Sequence, residues 1–208
     1  DLPNESLIIL DSALEQFKLH SNFNASHVYL KVSEETKNLE TVEKIWEIMF
    51  SSNLNRSDEI VIIGGGVMLD LCSFAASTYK RGITFTLVPS TLLAMVDASH
   101  GGKNGFNNNY GKNQIGTFNL PKSVVVCFGL LNTLKDKDYK DGLIELVKHG
   151  LIGSKEIFDK LVSTENFKID NEIIKKGIQI KEDIVEEDYL EAGKRKYLNF
   201  GHTVGHLI

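Results

Sequence analysis

Residues Glu59–Lys80 read EIVIIGGGVMLDLCSFAASTYK. Glu59–Ile63 is a continuous, β-branched run, as a strand buried on both faces requires. Gly64-Gly65-Gly66 breaks the run at once, and a helix is predicted from about Val67 to Lys80, closed by Gly82. Strand, glycine turn and helix in that order let a phosphate-bearing ligand approach the backbone. The helix N-terminus would meet it with N–H groups and a positive partial charge. The same turn also serves as a tight connection with no ligand, so the motif alone leaves both readings open, and it is not the GxGxxG fingerprint. Asp70, one turn into the helix, either bonds a cofactor hydroxyl or complements the helix dipole.

The surrounding elements extend this unit in both directions. Ser6–Leu10 (SLIIL) reads as a strand, Ser12–His20 as helical, and His27–Lys31 as a second strand. Thr41–Ser51 (TVEKIWEIMFS) places Val42, Ile45, Trp46, Ile48 and Met49 at helix spacing, with Thr41 as its expected cap. Ile83–Val88 and Ser123–Phe128 (SVVVCF) are further strands. Such alternation predicts an α/β domain with a doubly wound, mostly parallel sheet and helices on both faces. From Lys137 the texture changes to successive helices, Asp138–Leu151, Lys155–Val162, Ile169–Glu187 and Tyr197 onward. A boundary is therefore expected near Leu134–Lys137, between an α/β domain (1–135) and an all-α domain (136–208). The chain stops inside a helical pattern with no C-cap glycine, so the second domain is expected to be truncated.

Composition narrows the function classes. A net charge of −5 argues against a nucleic-acid surface, which needs clustered excess basic charge. No apolar stretch reaches 18 residues, so no membrane span is expected, and the first residues lack the features of a secretory signal. Cys72 and Cys127 both lie in apolar runs without CxxC spacing and read as buried hydrophobes in a reducing, cytoplasmic setting.

The segment 96–116, VDASHGGKNGFNNNYGKNQIG, concentrates glycine with Lys103 and Lys112 in what reads as a functional loop suited to an anion. Glu145 and Lys148 lie three apart and share a helix face, in isolation a surface ion pair. His202 and His206 are one turn apart between glycines; such a pair either holds zinc, divides metal and substrate binding, or is structural. An incoming carboxylate such as Glu145 would complete a His/Glu site with an open position. Lys181, Arg195 and Asn199 precede this pair; Lys194–Lys196 alone would be a solvated charge run. His20, His27 and His149 carry no usable signal.

Taken in order, these pieces resemble 3-dehydroquinate synthases over roughly residues 34–208. GGGVMLD is similar to the family's glycine turn with its Asp, and VPSTLLAMVDASHGGKNGFN with GKNQIGTF to its nucleotide and substrate loop. GLIELVKHGLI resembles the helix bearing a zinc glutamate and an active-site lysine, and LNFGHTVGH the helix bearing a zinc histidine. The resemblance implies zinc, or another divalent metal such as cobalt, on Glu145 and His202. A third ligand, a histidine, would lie beyond residue 208. It implies NAD against Glu34, Lys37, Gly65, Gly66, Asp70, Ser90, Thr91, Lys103, Lys112 and Thr133. Substrate and catalytic contacts would come from Asp97, Lys103, Asn113, Lys148, Lys181, Arg195, Asn199 and His206. Arg81, in YKRG, is similar to the family arginine that reaches a neighbouring subunit, which implies a homodimer. Leu69 and Ser33 stand where the family usually has glycine, and His100 and Asn104 replace commoner residues.

The activity so implied is a phosphate-eliminating lyase acting on an anionic sugar phosphate. It would convert 3-deoxy-D-arabino-heptulosonate 7-phosphate to 3-dehydroquinate and phosphate in the shikimate pathway. The steps would be transient oxidation by NAD, phosphate elimination, reduction and aldol cyclisation. Another sugar-phosphate cyclase, an NAD- and metal-dependent alcohol or glycerol dehydrogenase, and a non-catalytic NAD-binding fragment are the alternatives.

Overall fold

The computed structural model describes residues 7–18, 25–163 and 169–201. The chain forms two compact units, one of Asp1–Ser90 with Gly102–Cys127, the other of Thr91–Gly101 with Phe128–Ile208. The expected boundary at 134–137 lies a few residues beyond this division, and reading along the chain did not anticipate that Thr91–Gly101 joins the helices.

The first unit contains the strands β1 (Leu7–Asp11), β2 (Ser26–Leu30), β3 (Glu59–Gly64), β4 (Thr84–Pro89), β5 (Lys103–Asn108), β6 (Gly111–Phe118) and β7 (Ser123–Val124). Five of them make a parallel sheet in the order β2-β1-β3-β4-β7. The chain steps from β1 outward to β2, then returns to lay β3 on the other side of β1. The order therefore reverses between β1 and β3, where open α/β sheets take their ligands. The glycine turn closes β3 at that place. Every residue of β3 is buried, which is why its sequence is continuously apolar.

Period-two alternation sends Ile8, Leu10, Val61 and Ile63 to one face, where they pack on Leu14 of the 3-10 turn Ser12–Phe17. Helices α1 (Leu39–Ser51) and α2 (Gly66–Thr78) pack on one another, and α2 lies against β3 and β4. Trp46 Nε1 of α1 donates to the Ala75 carbonyl of α2 at 3.1 Å. The cap of α1 is Asn38 and not Thr41: Asn38 Oδ1 accepts from Thr41 N at 3.1 Å, while the Thr41 hydroxyl donates to the Thr36 carbonyl.

Three further readings are corrected. The expected loop 101–116 is mostly the antiparallel hairpin β5–β6, turned by Asn108, whose Oδ1 accepts from Tyr110 N and Gly111 N. Within SVVVCF only Ser123–Val124 pairs with β4, and a 3-10 turn begins at Phe128. Cys72 is buried as expected, but Cys127 is exposed because the chain has by then left the sheet.

The second unit holds α3 (Asp136–Gly153), α4 (Lys155–Val162) and α5 (Asn171–Glu187), followed by a 3-10 turn, Lys194–Asn199; of the helix expected from Tyr197 onward, residues 202–208 lie outside the described residues. Ser154 caps α4 and Asp170 caps α5 through their side-chain oxygens. Thr91–Gly101 contributes a π-helical turn, Ala94–Ala98, packed on α3 and α5. Among the described residues no helix is long and apolar enough to cross a membrane.

Candidate active site

Each unit gathers its own set of the residues singled out in the sequence. In the first, Gly65 caps α2 with extended backbone and no side-chain bond, and no acidic residue occupies the first turn. No side chain caps the opening N–H groups of this 13-residue helix, an arrangement that suits a phosphate. Leu69, at the position where a glycine was noted, is packed in the core with its N–H on the Gly65 carbonyl. Ser90 is buried and its N–H donates to Gly64 O at 2.9 Å, which holds the end of β4 beside the glycine turn.

Lys37 lies at the centre of this set. Its ammonium, 4% exposed, donates to Asp70 Oδ2 and to Asn113 Oδ1, both at 2.6 Å. Asn113 was assigned above to substrate, yet the structure brings it to the Lys37–Asp70 group, in a left-handed conformation (φ 53°) that asparagine tolerates. Asn107 organises the set and was missed: its N–H donates to Lys37 O, its Nδ2 to Glu34 Oε1, and its Oδ1 accepts from Asn113 N. Asparagine's paired donor and acceptor suit this bridging. Lys112 is exposed, 3.9 Å from Glu34. Lys103 opens β5 and is exposed. Lys80 and Arg81 both adopt left-handed backbone (φ 46° and 67°), and Arg81 is exposed.

In the second unit the π-helical turn presents Asp97 to α3 and α5. Lys181 Nζ lies 2.5 Å from Asp97 Oδ1, and Glu145 pairs with Lys148 one turn on. His149, fully buried, has Nε2 at 3.9 Å from Asp97 Oδ1 and no hydrogen-bond partner among the described residues on either ring nitrogen. Asp97, Glu145 and His149 each offer a ligand atom, all within 4.8 Å of one another. His149 gave no usable signal in isolation; its i, i+4 spacing from Glu145 was the feature that could have found it.

Three cations, Lys148, Lys181 and Arg195, are 5, 6 and 1% exposed. Arg195, at the centre of what looked like a solvated charge run, is thus one of the most buried side chains. Its Nη2 donates to Gly101 O at 2.9 Å and its Nη1 to Tyr189 O. Burial disfavours the Asp97 charge, but Lys181, His149 and Lys148 outweigh it and hold the carboxyl well below the usual carboxylate range. Burial pushes the Lys181 ammonium below its ordinary value, against the pull of Asp97. Burial also pushes the Arg195 guanidinium down, against the pull of Glu191, Asp97 and Asp188.

Other predicted residues stand apart from these sets. Thr91 Oγ1 accepts from Ala94 N, and Thr133 Oγ1 donates to Leu130 O. Asn199 Nδ2 donates to Glu191 Oε1 at 3.0 Å. His202 and His206 lie outside the described residues.

Comparison with known proteins agrees in both units. Residues 27–141 match the family described as 3-dehydroquinate synthase N-terminal, and residues 142–208 its C-terminal counterpart. A 3-dehydroquinate synthase of Prochlorococcus marinus (strain MIT 9211) is 43% identical over 198 residues, covering 90% of this chain and 53% of the relative. That of Pyrococcus furiosus is 41% identical over 215 residues, covering 99% and 64%. The chain spans roughly half to two thirds of the length of these relatives. A solved 2-deoxy-scyllo-inosose synthase complexed with carbaglucose-6-phosphate, NAD+ and Co2+ superposes with a TM-score of 0.83 at 27% identity, covering 100% of this chain and 61% of that one. The glycine turn, the buried acid–base cluster and these matches agree that the chain belongs to the 3-dehydroquinate synthase family.

Proposed function

We propose that the protein is a phosphate-eliminating lyase, a 3-dehydroquinate synthase that converts 3-deoxy-D-arabino-heptulosonate 7-phosphate to 3-dehydroquinate and phosphate. This would place it in the cytoplasmic shikimate pathway, as a homodimer with Arg81 reaching the neighbouring subunit. The observation that carries the reading is the cluster of Asp97, Glu145, Lys148, His149, Lys181 and Arg195 in one unit. The substrate brings a carboxylate and a phosphate, and the buried cations match both.

Both implied groups fit the residues present. The uncapped start of α2, with Gly65 and Gly66, would take the NAD pyrophosphate. Glu34, Lys37, Asp70, Ser90, Lys103 and Lys112, all of the same unit, would supply further contacts. Glu145 would hold the divalent metal with His202, and the unbonded imidazole of His149 stands beside Glu145 on the same helix face. When bound, NAD supplies reversible oxidation, and the metal lowers the pKa of a coordinated hydroxyl.

The chain's own residues orient and charge-match the substrate. Asp97 is held ionised, so it accepts a hydrogen bond from a substrate hydroxyl and does not act as an acid. Lys148 and Lys181 act as point charges. Arg195 is fixed by two backbone carbonyls, a rigid fork for carboxylate or phosphate. Asn199 and His206 would complete the contacts.

The test is phosphate release by the full-length protein given this substrate, NAD and zinc, with NADH absorbance followed in parallel. Phosphate without accumulating NADH is expected. NADH accumulation on a polyol would replace this reading with a dehydrogenase, and neither signal would point to a different sugar phosphate.

A further inference from the structure

The π-helical turn that carries Asp97 is fastened at both ends by the two residues that follow it. Ser99 Oγ donates to Ala94 O at 2.7 Å, and the His100 ring nitrogen Nε2 lies 2.9 Å from Met95 O. The other ring nitrogen, Nδ1, lies 3.0 Å from Glu182 Oε1 of α5. Glu182 follows Lys181, whose ammonium holds Asp97. Consecutive residues of α5 therefore grip Asp97 and His100. The next residue, Gly101 (φ 101°), turns its carbonyl to Arg195 Nη2, and a Cβ there would come within 2.3 Å of that nitrogen. His100 thus stands between the two groups that must be aimed, the Asp97 carboxylate and the Arg195 guanidinium.

The proton inventory of the ring adds a condition. Met95 O and an ionised Glu182 accept hydrogen bonds and cannot donate them, and a neutral imidazole carries one N–H. Both bonds are made together only by the doubly protonated ring. The charged groups that face the ring are Glu182 and Lys181 of α5. Burial pushes His100 below the usual imidazole range, and Glu182 opposes that push.

We propose that His100 is a positioning residue: braced between Met95 O and Glu182, it fixes the Asp97 turn and the Gly101 carbonyl that seats Arg195. The brace is complete only while both ring nitrogens carry protons. The catalytic consequence rests on the synthase reading above; the protonation of the ring does not.

The test uses the full-length protein labelled with 15N-histidine, with the His100 signals identified by their loss in His100→Asn. The expected result is both ring nitrogens protonated at low pH and one proton lost as pH rises, with that loss moved to lower pH in Glu182→Gln. Glu182 is half exposed, so Glu182→Gln leaves the fold intact, as circular dichroism checks. A ring that never carries both protons, or a titration that Glu182→Gln does not move, would overturn the proposal. In the second arm, phosphate release is measured against pH. Wild-type kcat/KM should fall as the ring deprotonates, while Glu182→Gln stays about 10- to 100-fold low across the range, as misaimed groups do. Wild-type kinetics in Glu182→Gln would also overturn it. A wild-type protein that releases no phosphate would defeat the synthase reading and leave the NMR result to decide the brace.

Discussion

Asp97 and Lys181 are mutually dependent. Each is costly to bury charged, and their 2.5 Å contact offsets both costs. Asp97→Asn would leave the Lys181 ammonium buried without its counter-ion. Losing one partner of a fully buried pair costs about 3–5 kcal/mol. A quarter of Asp97 is exposed, so about 1–3 kcal/mol is the expectation here. Because the folded carboxyl is held below its unfolded value, its contribution is complete above about pH 4 and is lost as pH falls through the folded value. Urea unfolding of wild type and Asp97→Asn should therefore give a stability gap that is constant from about pH 5 to 7 and narrows below about pH 4. A gap that widens in acid would contradict the depressed value. The proposed role of Lys148 lies in the chemistry more than in the fold, since its ion pair is with Glu145, its neighbour on the same helix. Lys148→Ala should lower turnover about 10²- to 10⁴-fold, as loss of a positioned proton-handling group does. Near-normal phosphate release would remove Lys148 from the site.

At the scale of elements, the close seat of α3 on the segment 91–101 sets where Glu145 and Lys148 stand relative to Asp97. Gly142 makes that approach possible: a Cβ there would lie 2.5 Å from both Leu92 Cβ and Leu93 N. Gly142→Ala gains about 1 kcal/mol of helix propensity. Overpacking against backbone costs about 1–3 kcal/mol, so the clash should win. A lowered Tm together with a lowered kcat is expected; a raised Tm would mean that α3 can retreat without harm. How far such elements were legible follows from their periodicity. The apolar spacing of α1 and the buried run of β3 are local signals and were read from the chain. The hairpin β5–β6 was not, because KNGFNN and GKNQIGTF lack the β-branched alternation of a half-buried strand and are held by asparagine side chains. β7 was overread because SVVVCF has strand composition, while only two of its residues find a partner in β4. In the site, Glu145 and Lys148 were legible as helix neighbours. The contact between Asp97 and Lys181 spans 84 positions, and no local pattern encodes it. His149 was overlooked because a histidine in an apolar helix reads as core until Asp97 is placed beside it.

For the whole molecule, the two units supply different parts of the proposed chemistry from their own residues. The set around Lys37 is closed by Asp70, Asn113, Asn107 and Glu34, all in the first unit. The set around Glu145 is closed by Lys148, His149, Asp97 and Lys181, all in the second. A lesion in one set should then leave binding in the other intact. Lys37→Ala removes the donor shared by Asp70 and Asn113, a loss of about 1–2 kcal/mol, so the NAD Kd should rise about tenfold. Its metal content should stay as in wild type. Glu145→Gln keeps the shape of the side chain but removes the anionic ligand, so metal measured by elemental analysis should fall to background while calorimetry still finds NAD binding. Chelation of the wild type should reproduce that second pattern, abolishing phosphate release without abolishing NAD binding, with activity restored by zinc or cobalt. Loss of both ligands in either variant would mean that one set depends on the other, and the assignment of cofactor to the first unit and metal to the second would have to be withdrawn.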